Sequence, residues 1–143
     1  MEDKYVKKQV YTQLNQVVNE DCYLMFNSYC ISITRIGSFT EFPDRIIGVH
    51  YMNPVPKQDF AEVIKEIHTS KKTCKLIKEL LLSVGIDSTM INDSTDYITN
   101  RVSHIFMNEA MNLVLEGVAK PEQVDEIFEK CFHHAMGFLA TPI

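Results

Sequence analysis

Two apolar runs of strand length fix the kind of layer this chain can build. They are Cys22-Tyr23-Leu24-Met25-Phe26 and the segment 45–52, RIIGVHYM. Neither shows the polar alternation of a half-solvated strand, so both predict strands buried on two faces, with helices above and below. The neighbouring pattern supplies those helices. Val6, Val10, Leu14, Val17 and Val18 recur at helical spacing before the first run. Cys74, Ile77, Leu80, Leu81 and Val84 do so later, with Thr69-Ser70 as a cap and Gly85 as a stop. Ser32 to Ile36 suits a short helix closed by Gly37. Asn53-Pro54-Val55-Pro56 ends the second strand, because neither proline can donate to a ladder. Phe60 to Ile67 and Ser88 to Asn92 read as further strands. The alternation argues an α/β layer with largely parallel pairing.

From Asp93 the pattern turns all-helical. Ile98, Val102, Ile105, Phe106, Ala110 and Leu113 mark a long helix ending at Gly117, and Pro121 opens another at the position proline favours. The expected boundary lies near Asn92, giving regions 1–92 and 93–143. A chain of 143 residues, 45% hydrophobic, can bury a genuine core but is short for an enzyme needing separate cofactor and substrate domains.

The net charge of −5 comes without a basic block, which disfavours a nucleic-acid partner. No apolar run approaches the roughly 20 residues of a membrane span. The polar start MEDKYVKKQVYTQ is unlike a secretory signal, and Cys22, Cys30, Cys74 and Cys131 never approach C-x-x-C spacing. These features lead us to expect a cytoplasmic chain with reduced cysteines. Only Cys131 and His133-His134 cluster, and adjacent histidines point different ways on a helix, so no metal site is expected.

His50 stands near the C-terminal end of a buried strand, where ligands bind in open α/β sheets. Asn53 lies in the proline-bounded turn beyond it, where a side-chain amide can reach a ligand. Glu62 opens the next strand and can orient His50 through one ring nitrogen, as a general base requires. A half-buried core histidine beside a solvated strand-edge charge produces the same pattern.

The run IIGVHYMNPVP followed by Glu62 resembles the G-x-H-F-x-N-P-V-P…E segment of the L-3-hydroxyacyl-CoA dehydrogenase family. The segment NDSTDYITNRVSHIFMNEAMNLVLEGVAKPEQVDEIFEKCFHHAMGF is similar to that family's D-T-P-G-F-I-x-N-R…NEA…EGVA…MGP stretch. The likeness runs from Glu2 to about Leu139. It implies the second half of a Rossmann-type NAD-binding domain, followed by the first helices of a 6-phosphogluconate-dehydrogenase-like helical domain. It also implies NAD-dependent interconversion of L-3-hydroxyacyl-CoA and 3-oxoacyl-CoA. His50 then matches the histidine that takes the hydroxyl proton, Glu62 its orienting carboxylate, and Asn100 the asparagine near the reacting carbon. Asn53 matches a residue of the nicotinamide site, and Glu2 and Lys7 match positions approaching the cofactor. Lys7 as a plain helix charge and Asn100 as a helix-start cap are the alternatives.

The chain departs from the family pattern twice. Tyr29 replaces the first serine of N-T-S-S, which bonds substrate oxygen and cofactor. Ser94-Thr95-Asp96-Tyr97 replaces T-P-G-F, so the restricted backbone of that turn is expected to be lost. No G-x-G-x-x-G occurs, since Gly37, Gly48, Gly85, Gly117 and Gly137 stand far apart. The resemblance therefore implies the middle of a family member, lacking both ends and weak or inactive alone. The alternative expectation is a non-catalytic dimerising or partner-binding remnant. An exposed edge at Cys22 to Phe26 argues for a homodimer or larger assembly in either case.

Overall fold

The computed structural model describes residues 3–52, 59–134 and 136–139, and the chain divides into two compact units, 1–97 and 98–143. In the first unit, helix α1 (Lys4–Leu14) opens on Asp3, whose carboxylate accepts from the N–H groups of Tyr5 and Val6 at 2.7 and 3.1 Å. It stops short of Val17 and Val18 because Asn15 turns to the 39–41 loop. The Asn15 amide donates to the Phe39 carbonyl at 3.2 Å and its Oδ1 accepts from the Glu41 N–H at 3.1 Å.

Strand β1 (Leu24–Phe26) follows, then helix α2 (Ile33–Gly37), capped by Ser32. A 3-10 turn at Pro43–Arg45 leads into β2 (Ile46–Tyr51). Next come β3 (Phe60–Lys65), α3 (Lys71–Ser83) and β4 (Asp87–Asn92). Ser70 caps α3 by accepting from the Thr73 N–H, and Gly85 leaves the helix at φ +81°, a conformation glycine adopts without strain.

The sheet order is β1-β2-β3-β4. β1 with β2 and β3 with β4 are parallel, in line with the largely parallel expectation, while the central β2–β3 pair is antiparallel. A parallel return needs a crossover of about a dozen or more residues, and the 52–59 link is too short to make one. β1 departs from expectation. Phe26 is buried, but Met25 is 38% exposed, because α3 packs over β2 and β4 and leaves the edge strand uncovered on that face.

Alternation along β2 and β3 divides the core. Ile46 and Ile64 pack with Phe26, Ile33, Ile36 and Tyr97 under α2, whereas Ile47, Val49, Ala61 and Val63 pack with Ile77 and Leu81 of α3. Gly48 lets α2 settle on the sheet. A Cβ there would meet the Ile33 side chain at 2.6 Å. Residues 93–97 pack with this unit, since Asp93 holds α2 and Tyr97 fills its core.

The second unit holds α4 (Thr99–Leu115) and α5 (Pro121–Cys131). Gly117 at φ +72° follows the first helix, and Pro121 starts the second with the Gln123 side chain accepting from the Lys120 N–H at 3.0 Å. Ala110, Val124 and Phe138 form the core between them, with Phe106 stacked on Phe138 at 5.5 Å.

Candidate functional site

His50 and Glu62 are direct partners in the β2–β3 ladder, on the face that α2 covers. That register brings His50 Nδ1 within 2.8 Å of Glu62 Oε2. Both residues are buried, at 4% and 5% exposure. An ionised carboxylate only accepts, so Nδ1 carries the hydrogen and the neutral ring keeps its acceptor lone pair on Nε2. A buried charge is tolerated only when it is partnered, and the imidazole is that partner here. If the ring gained a proton on Nε2, the adjacent carboxylate would stabilise the resulting cation. The arrangement is therefore suited to accepting a proton from a bound hydroxyl.

Two tyrosines flank the imidazole. The ring of Tyr29 stands edge-on to it, with centroids 5.7 Å apart, and Tyr29 is half exposed. Tyr97 lies on another side at 5.5 Å, is almost wholly buried, and donates its hydroxyl hydrogen to the Ile31 carbonyl at 2.9 Å. That bond ties the histidine's surroundings to the loop beyond β1. Ser28 stiffens the same loop, accepting from the Ile31 N–H at 3.2 Å. Sequence reasoning treated Tyr97 only as part of an altered turn. The signal available was its place at the aromatic position of the resembled pattern.

The altered turn keeps a special backbone, which corrects the expectation drawn from the lost proline and glycine. Asp96 and Tyr97 sit at φ 61° and 53°, in the left-handed region. Aspartate enters that region more readily than most residues and here takes the place glycine has in the family pattern.

The remaining expected site residues are spread differently. Lys7, on α1, donates from Nζ to the Asn27 carbonyl at 3.1 Å, just past the C-terminal end of β1. Asn100 is buried in the first turn of α4, within the second unit. Glu2 and Asn53 lie outside the described residues. Among the described residues no three His, Cys, Asp or Glu side chains converge as a metal site, and no helix is long and apolar enough to cross a membrane.

The fit to a dinucleotide is one-sided. A pyrophosphate is usually held by free N–H groups at a helix N-terminus after a glycine-rich turn. Here the first-turn donors of α1 bond to Asp3, those of α2 to Ser32 and Asp93, and that of Thr73 in α3 to Ser70. On the other side, at the C-terminal ends of β1 and β2, stand Lys7, bonded to the Asn27 carbonyl, and His50.

Comparison with known proteins gives a consistent result. A family model described as 3-hydroxyacyl-CoA dehydrogenase, NAD binding domain, matches residues 1–95, and one described as its C-terminal domain matches residues 97–142. The chain is 37% identical over 140 residues to 3-hydroxybutyryl-CoA dehydrogenase of Clostridioides difficile, covering 98% of this chain and 50% of that protein. It is 36% identical over 139 residues to a probable 3-hydroxybutyryl-CoA dehydrogenase of Bacillus subtilis, covering 97% and 48%. The crystal structure of (S)-3-hydroxybutyryl-CoA dehydrogenase from Ralstonia eutropha superposes with a TM-score of 0.91 at 30% identity, covering 96% of this chain and 49% of that one. The chain spans about half the length of the curated relatives it matches.

Proposed function

Because the chain belongs to the 3-hydroxyacyl-CoA dehydrogenase family, we propose that it carries the proton-transfer half of that family's active site. The reaction is the interconversion of an L-3-hydroxyacyl-CoA and its 3-oxoacyl-CoA, with NAD as the family's cofactor. The observation that carries this reading is the buried 2.8 Å contact between His50 and Glu62.

In the oxidative direction His50 Nε2 takes the proton of the substrate 3-hydroxyl, while Glu62 holds the ring by Nδ1 and stabilises the imidazolium. NAD, when bound, supplies the hydride acceptor. Asn100 is assigned to the substrate near the reacting carbon, and Lys7, Glu2 and Asn53 to the nicotinamide side. Tyr29, in the serine's place, offers a phenol in the substrate space and narrows the approach to His50. We place the chain in the cytoplasm, where its four cysteines, none of them in a disulfide among the described residues, would stay reduced. β1, at the sheet edge, is available for pairing in a homodimer or larger assembly.

The engaged helix N-termini and the bulk of Tyr29 favour a second reading, a non-catalytic dimerising or partner-binding protein of the same family. Acetoacetyl-CoA-dependent oxidation of NADH separates the two. It is measured on the chain alone and with the dinucleotide-binding half of a relative supplied separately, for wild type and Tyr29→Ser. Activity in the complemented mixture, higher in Tyr29→Ser, supports the catalytic reading. Inactivity of both proteins under complementation supports the second.

A further inference from the structure

Glu66 and Asp93 leave adjacent strands at the same level. β3 and β4 run parallel with Lys65 paired to Asn92, and the Asp93 N–H donates to the Lys65 carbonyl at 3.1 Å. Neighbouring strands lie about 4.8 Å apart, so the two acids follow one another across the sheet at short range. Alternation puts Glu66 on the face of Ile64 and Asp93 on the face of Ile91, under α2. The contacts agree. Asp93 Oδ2 accepts from the Ser32 hydroxyl at 2.6 Å and the Thr34 N–H at 2.8 Å, and a Cβ on Gly37 would lie 3.3 Å from Glu66 Oε1.

Glu66 is 2% exposed, and neither of its carboxylate oxygens has a hydrogen-bond partner among the described residues. Asp93 Oδ1 is in the same state. These side chains line a cleft of about 390 Å³ with Thr34, Lys65, Thr69 and Asn92. The cleft lies past the end of β3 that is farther from Glu62, so it is separate from the histidine site. Buried carboxylates without partners cost several kcal/mol, and like charges side by side on a sheet add to that cost. Three unpartnered acceptor oxygens, on two residues that line one cleft, call for positive charge.

We propose that Glu66 and Asp93 hold a divalent, oxygen-preferring cation of the magnesium–calcium class, which ties the ends of β3 and β4 to α2. The side-chain donors on this face are oxygens, from the two carboxylates and the Thr34 hydroxyl, and hard cations prefer such sets. Thr69 is already engaged, accepting from the Glu66 N–H and donating to the Ile46 carbonyl. Two carboxylates are enough for a cation that keeps several of its waters, and the cleft has room for them. The strand alternation turns the Lys65 side chain to the other face, so the two carboxylates meet no cation of their own on this one among the described residues.

The test uses the full chain after chelation. Thermal unfolding is followed with magnesium, calcium or manganese chloride added singly, against sodium chloride at matched ionic strength. Manganese binding is counted by electron paramagnetic resonance. The expected result is saturable stabilisation with one manganese per chain, and binding about tenfold or more weaker in Glu66→Gln. Glu41→Gln, at a different acidic cleft, should bind as wild type does. Broadening of the Thr34, Lys65 and Asp93 amide signals by manganese gives a readout on wild type alone. The proposal is overturned if wild type shows no saturable effect, or if Glu66→Gln binds undiminished. It is also overturned if Glu66→Gln is simply more stable without metal while wild type binds none.

Discussion

His50 and Glu62 are cross-strand partners whose side chains meet at 2.8 Å inside the sheet. Their contact depends on β2 and β3 pairing in one register, because a slip of one residue would turn the pair to opposite faces. The stability of the sheet and the chemistry of the site therefore share one interaction.

Removing one partner should show this directly. His50→Ala takes the ring nitrogen away from the buried Glu62 carboxylate, and the expected loss is about 1–3 kcal/mol of folding stability. The double variant His50→Ala/Glu62→Ala should lose less than the sum of the single changes. Urea denaturation of the four proteins measures the coupling, and strict additivity would show that the contact contributes nothing.

Gly48 is the point where α2 approaches the sheet most closely. In Gly48→Ala the new methyl meets Ile33 at 2.6 and 2.7 Å, and the Ile64 Cβ at 3.2 Å. Overpacking of this kind costs about 1–3 kcal/mol. Adding Ile33→Ala removes the clash, so the double variant should be less damaged than the sum. A fully additive thermal-denaturation result would contradict the close approach.

The left-handed turn at Asp96 gives a test of backbone strain. Asp96→Gly should be neutral or stabilising by up to about 1 kcal/mol, because glycine adopts φ near 61° without a Cβ penalty. Asp96→Val should destabilise by about 1–2 kcal/mol. The reverse order in a denaturation series would mean that the turn is not left-handed.

Tyr11 stacks on Phe26 with ring centroids 3.9 Å apart, and burial pushes its phenol from 10.0 up to about 12. The folded value lies above the unfolded one. This residue's contribution is therefore fully present below pH 10 and is lost as pH rises toward 12, because the unfolded chain releases its proton first. Wild type should lose stability across that window more steeply than Tyr11→Phe. Equal slopes in denaturation midpoints from pH 9 to 12 would contradict it.

Much of this was legible in the residues themselves. The cap at Ser70, the stops at Gly85 and Gly117, and Pro121 at a helix start are local signals, and local signals set helix ends. His50 and Glu62 could be singled out because a histidine at a strand end and a carboxylate on the next strand form a recognisable pair. The antiparallel pairing of β2 with β3 was hidden, since a continuous apolar run fits either direction of pairing. Met25 read as buried because its run is apolar throughout, whereas its exposure follows from where α3 lies. Tyr97 showed only through the aromatic position of the resembled pattern, and Glu66 did not show at all. Burial against a helix distant in sequence leaves no mark on the residues next to them.

The most direct test of the account is the rate of acetoacetyl-CoA-dependent NADH oxidation in the complemented mixture, comparing wild type with His50→Ala. The account predicts that His50→Ala lowers the rate by about 10²–10⁴, the range that a positioned acid–base group supplies. A complemented His50→Ala protein as active as wild type would contradict it.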